Sequence, residues 1–113
     1  MALTIVCLGV ALAESTVSSQ AVEGRCLIVM DGRTFLKGRC NIEIHPGGSF
    51  TVGVADQSSS KYFAYVSLEG TPLTAHGYWN GVAAESHAHS DLGPLRRKGA
   101  CWSNRRAKVC AWH

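Results

Sequence analysis

From Val22 onward, hydrophobic and polar residues alternate in short runs separated by turn residues. "CLIVM" and "RTFLKG" flank Asp31-Gly32, a dipeptide suited to a two-residue hairpin turn, where φ must be positive. "NIEIH" then sets Ile42 and Ile44 on one face and Asn41, Glu43 and His45 on the other. "PGGS" reverses the chain, and "FTVGV" gives Phe50, Val52 and Val54 a common face. After the polar loop "ADQSSS", the run "KYFAYVSLEG" places Tyr62, Ala64, Val66 and Leu68 on one face and Phe63 and Tyr65 on the other. Apolar area on both faces predicts a central strand. "LTAHGYW" predicts a further strand, ended by Asn80-Gly81. Val82 to Pro94 lacks a clear period and reads as loop, with one helical turn at "VAAES". "ACW" and "AKVCAW" follow as a terminal hairpin or two neighbouring strands. Nothing beyond the opening residues sustains a helical period. The pattern therefore predicts an all-β domain, a small antiparallel sandwich or open barrel of about seven short strands.

The opening run changes the setting in which that domain works. "MALTIVCLGVALA" has the length of a signal-peptide hydrophobic region and ends in the small-residue pattern Ala11-Leu12-Ala13, although no Lys or Arg precedes Arg25. Residues 1–21 are expected to be a signal peptide, cleaved after Ala13 or after Ala21, leaving one β-domain over 22–113. The run falls short of the roughly 20 residues that span a bilayer, so no transmembrane anchor is expected after processing. Removal of the signal takes Cys7 with it and leaves Cys26, Cys40, Cys101 and Cys110. An even count in a small exported chain predicts two disulfides, and a periplasmic or extracellular location. Proximity favours Cys26 with Cys40 and Cys101 with Cys110. A regular ladder around Asp31-Gly32, however, sets Cys26 opposite Lys37, several residues short of Cys40, unless the turn is wider or the strand curls at Gly38. Cys26 with Cys110, or Cys40 with Cys101, stays open.

Charge adds a candidate surface. Six of the eleven Lys and Arg (Arg96, Arg97, Lys98, Arg105, Arg106 and Lys108) follow Asp91 with no acid among them, whereas the preceding chain holds five bases against eight acids. Such segregation suits an anionic partner: a protein, a polysaccharide or an envelope surface, with no nucleic acid expected. Trp102 is the candidate aromatic anchor beside this tail, since aromatic and Arg side chains dominate binding hot spots. His87-Ala88-His89 sets two imidazoles on one side of an extended chain, and Asp91 continues that side. This makes His87, His89 and Asp91 the alternative reading, a zinc or copper site, with His45, His76 and His113 joining only if folding brings them near. The other face of the question is catalysis. The chain has no Gly-x-Ser-x-Gly elbow, no Cys-x-x-Cys pair, no phosphate loop and no dinucleotide fingerprint. No enzymatic activity and no cofactor are expected.

"YFAYV", "GYWNG" and "SHAHSDLGPLRRKGACWSNRRAKVCAW" together resemble a group of small, uncharacterised exported bacterial proteins. The stretch from "HAH" through "LGPLRRKGACW" to "VCAW" is the most specific part. The resemblance implies export and brings no activity with it. The Lys61-Tyr62 step after the serine loop is also similar to the periplasmic inhibitors of c-type lysozyme, but "SSSKYF" lacks the glycine of their Ser-Gly-x-x-Tyr loop. The expected function is an exported, disulfide-stapled binding or inhibitory module of the cell envelope.

Overall fold

The computed structural model describes residues 19–53 and 61–113. Eight strands run in chain order: β1 (Gln20–Met30), β2 (Arg33–Ile44), β3 (Phe50–Val52), β4 (Ala64–Leu68), β5 (Thr74–Trp79), β6 (Ser90–Lys98), β7 (Cys101–Ser103) and β8 (Ala107–Trp112). Each pairs antiparallel with its chain neighbour, and β8 returns to pair with β1, closing a barrel. The fold is thus all-β, as the alternation predicts, with its first and last strands paired to each other. Closure removes the unpaired N–H and C=O groups that an open sheet exposes.

"RTFLKG" and "NIEIH" join in the single strand β2, and a further strand forms in the stretch that reads as loop. Ser90–Lys98 forms β6, and its period is hidden by a bulge. Gly77 faces Gly93 while Tyr78 faces Asp91, so Leu92 is an extra residue on β6. Leu92 and Leu95 both turn inward and are 4% and 1% exposed. Gly77 makes room for them, since a Cβ there would lie 2.6 Å from Leu95 Cδ1 and 3.2 Å from Leu92 Cβ. "VAAES" forms turn rather than helix.

Alternation decides what lies inside. Ile28, Ile42, Val52, Val66 and Val109 are fully buried and fill the barrel with Leu95 and Trp102. Outward positions carry charge, the reverse of a lipid-facing barrel. At one end, Phe35, Tyr62 and Trp79 pack together with ring centroids 4.7–5.9 Å apart. The loop beyond them is held by Asn80, which is 1% exposed. Its Oδ1 accepts from Phe63 N, and its Nδ2 donates to the carbonyls of Lys61 and Glu85. Sequence reasoning took Asn80 for a turn signal only. In the fold it ties the segment that enters β4 to the β5–β6 loop.

Cys26 bonds Cys40, and Cys101 bonds Cys110. The register difficulty of the first pair is solved by a bulge. Ile28 faces Leu36 and Val29 faces Thr34, so Phe35 is the extra residue and Cys26 slides from Lys37 to Gly38. Cys40 then lies diagonally across, with a Cα separation of 5.9 Å, within disulfide reach. Cys101 directly faces Cys110. Ala111 N donates to Ala100 O in the next pair, so the cysteines form a non-hydrogen-bonded pair, where side chains approach most closely.

β1 begins at Gln20, whose partner is Ile44. Cleavage after Ala13 leaves β1 whole, whereas cleavage after Ala21 removes its first two residues. Cys7, Ala13, Val54 and the serine loop lie outside the described residues.

Two measurements check this account. The oxidised protein should be four hydrogens lighter than the reduced one, and opening a bridge should cost about 2–5 kcal/mol in chemical denaturation. Asn80→Ala should cost about 1–3 kcal/mol in the same assay, because three backbone groups lose the partner that the buried amide gives them.

Candidate functional surfaces

The basic tail does not form one patch. Arg96 and Lys98 lie on the outer face of β6, opposite Ser103 and Cys101. Lys108 lies outward on β8, opposite Ser103. Arg97 turns to the inner side at the barrel mouth, opposite Trp102, with its guanidinium 5.9 Å from the indole centroid and its Nε donating to Gly99 O. Arg105 and Arg106 stand at the β7–β8 turn, as a hairpin there requires, and both are exposed. Arg106 already has a partner: its Nε and Nη2 donate to Asp31 at 3.1 and 3.3 Å. Asp31 N in turn donates to Arg106 O at 2.8 Å. Arg106 therefore ties the β1–β2 turn to the β7–β8 turn. Trp102 corrects the expectation of an exposed anchor, being 5% exposed in the core. It faces Val109, which is itself fully buried, and alternation from that inward position fixes its direction. Trp112 is the exposed indole, at 44%.

Closure adds three cations that the tail alone does not reveal. Along one line of cross-strand partners, Lys98 faces Cys101, Cys101 faces Cys110, Cys110 faces Leu27, and Leu27 faces Lys37. On the next line, Trp112 faces Arg25, and Arg25 faces Arg39. Arg25, Lys37, Arg39, Arg96, Lys98 and Lys108 thus share the outer face of β6, β7, β8, β1 and the first half of β2. Glu23 is its acid. The alternation in "GRCL" and "LKGRC" already marks Arg25, Lys37 and Arg39 as outward. Only closure places them beside the tail.

The other half of the barrel carries a different row. Glu43, Thr51, Tyr65, Tyr78 and Asp91 face one another in succession across five strands. Tyr65 and Tyr78 stack with centroids 6.4 Å apart. His45 donates or accepts at Thr51 Oγ1 (2.8 Å) and packs edge-on against Tyr65. His76 lies against Tyr78 and bonds Asp91 Oδ1.

That bond decides the alternative metal set. His87 and His89 do share a side, their rings stacked 5.2 Å apart. Asp91, however, is engaged by His76 and by Gly93 N (2.6 Å). Among the described residues, no group of three His, Cys, Asp or Glu is placed to hold a metal ion. His87, His89 and Asp91 therefore do not assemble as a triad, because the β6 bulge turns Asp91 toward β5.

The Gly93 amide, followed by His76, holds the Asp91 carboxyl below its ordinary range, and Arg106 does the same for Asp31. Because both carboxyls are shifted down on folding, their contributions are complete above the ordinary aspartate range and are lost as pH falls through the folded values. The Gly93 and Asp31 amide resonances should therefore titrate below the ordinary aspartate range, and Asp31→Asn should abolish the acid titration at the β1–β2 turn alone.

Among the described residues, no helix is long and apolar enough to cross a membrane. The two disulfides suit an oxidising compartment outside the cytoplasm. Comparison with protein-family models, curated proteins and solved structures finds no match.

Proposed function

We propose that the protein is an exported binding or inhibitory module whose partner is an anionic protein, polysaccharide or envelope surface, met through the basic outer face. It acts in the periplasm or outside the cell and has no chemistry of its own. The observation that carries this reading is the direct opposition of Arg25 and Arg39 on β1 and β2. Like charges facing across a ladder weaken a sheet. A sequence selected for barrel stability alone has no reason to place them there, beside Lys37, Lys98 and Lys108. An anionic partner turns that repulsion into attraction. The closed, disulfide-linked backbone presents the cations rigidly, which lowers the ordering cost of binding. Trp112, exposed and facing Arg25, takes the anchor role expected of Trp102.

Retention on a sulfated polysaccharide resin tests the proposal. The protein should be held at low salt and released as the Debye length shrinks from about 10 Å at 0.1 M to about 3 Å at 1 M. Arg39→Glu should elute at lower salt yet melt higher, with a gain of about 0.2–1 kcal/mol from replacing a like pair by an opposite one. Lys98→Ser with Lys108→Ser should also elute earlier, with little change in melting. Unchanged elution of these variants would remove the basic face from the function.

A further inference from the structure

The two ends of the barrel are built differently. One is filled by the Phe35, Tyr62 and Trp79 cluster. The other, where the β2–β3, β4–β5 and β6–β7 turns meet, opens into a cavity of about 380 Å³. Ile42, Ile44, Phe50, Leu68 and Trp102 line it, and Arg97 stands at its edge. Ligand pockets run from about 300 to 1,000 Å³ and favour the mouths of β-barrels, with apolar walls and a few placed polar groups. The rim is left open by its turns, since a Cβ at Gly47 or Gly99 would meet nothing within 4 Å.

We infer that this mouth binds a single-chain amphipathic carboxylate, with the alkyl chain in the cavity above the packed core and the carboxylate on Arg97. The apolar wall requires a hydrocarbon part. The cation at the edge requires an anion, and it is already oriented, because Nε is held by Gly99 O and the guanidinium lies over Trp102. Its two terminal amino groups match a planar carboxylate side by side. The cavity lies near the small end of the ligand range, which favours one short alkyl chain over a two-tailed lipid. This site is separate from the basic outer face, since Arg97 alone of the cations on β6 turns to the inner side.

Titration with decanoate, octanoate and decanol, kept below micellar concentrations, tests the inference by Trp fluorescence and calorimetry. Decanoate should saturate one site and bind about tenfold more tightly than octanoate, as two methylenes require. It should also bind at least tenfold more tightly than decanol. Arg97→Gln should erase the preference for decanoate over decanol while leaving decanol binding in place. Ala100→Trp should fill the mouth and abolish binding of both, with circular dichroism reporting its fold; should it not fold, Arg97→Gln decides. Arg39→Ser with Lys108→Ser should leave decanoate binding unchanged. The inference is overturned if decanoate does not saturate, if decanol binds equally well, if Arg97→Gln keeps the preference, or if the outer-face double variant loses decanoate binding.

Discussion

The ladder between β1 and β8, from Arg25–Met30 to Ala107–Trp112, is the constraint on which the rest of the molecule depends. Every other pairing joins strands adjacent in sequence and forms locally. This one joins the two ends of the domain. Without it, β1 and β8 would each present an open edge, and Ile28 and Val109, both fully buried and facing each other, would lie at the rim of a curved sheet. With it, the alternation along each strand acquires an inside and an outside.

Closure also creates the surface chemistry. Arg25, Lys37 and Arg39 stand far in sequence from Lys98 and Lys108, yet they share one face because β1 lies beside β8. Glu43, Tyr65, Tyr78 and Asp91 form their row on the opposite half for the same reason. Two halves of unlike character follow from strand order, although no single segment of the chain displays both.

Local alternation made much of the fold legible in advance: the Asp31-Gly32 turn, the inward Ile42, Val52 and Val66, and the terminal hairpin. Bulges were not legible, and they account for the main departures. The extra Phe35 brings Cys26 and Cys40 within reach, and the extra Leu92 hides β6 and turns Asp91 toward His76. A bulge shows in sequence only as a break in period, which is also how a loop looks. Trp102 and Trp112 illustrate the other limit. Both flank the last cysteine pair, and ten positions along a hairpin place one inside and the other outside only once the register of Cys101 on Cys110 is known. By its type and its place before Gly81, Asn80 reads as a turn residue. Its burial depends on Lys61, Phe63 and Glu85, which folding brings around it.

The placement of the two disulfides has a consequence for how the barrel assembles. Cys26–Cys40 locks β1 to β2, and Cys101–Cys110 locks β7 to β8. Neither bridge crosses the seam, and each stiffens one of the two hairpins that must meet there. Joining the ends of a long chain is the step with the largest loop-closure cost in an otherwise local topology. The bridges cut 14 and 9 residues out of the chain path between Cys26 and Cys110 and hold each side of the seam as a two-stranded ribbon of set register. A slip by one residue at the seam would turn every inward side chain of β8 outward. A covalently fixed hairpin on each side leaves fewer registers to sample before the buried faces of Ile28 and Val109 meet.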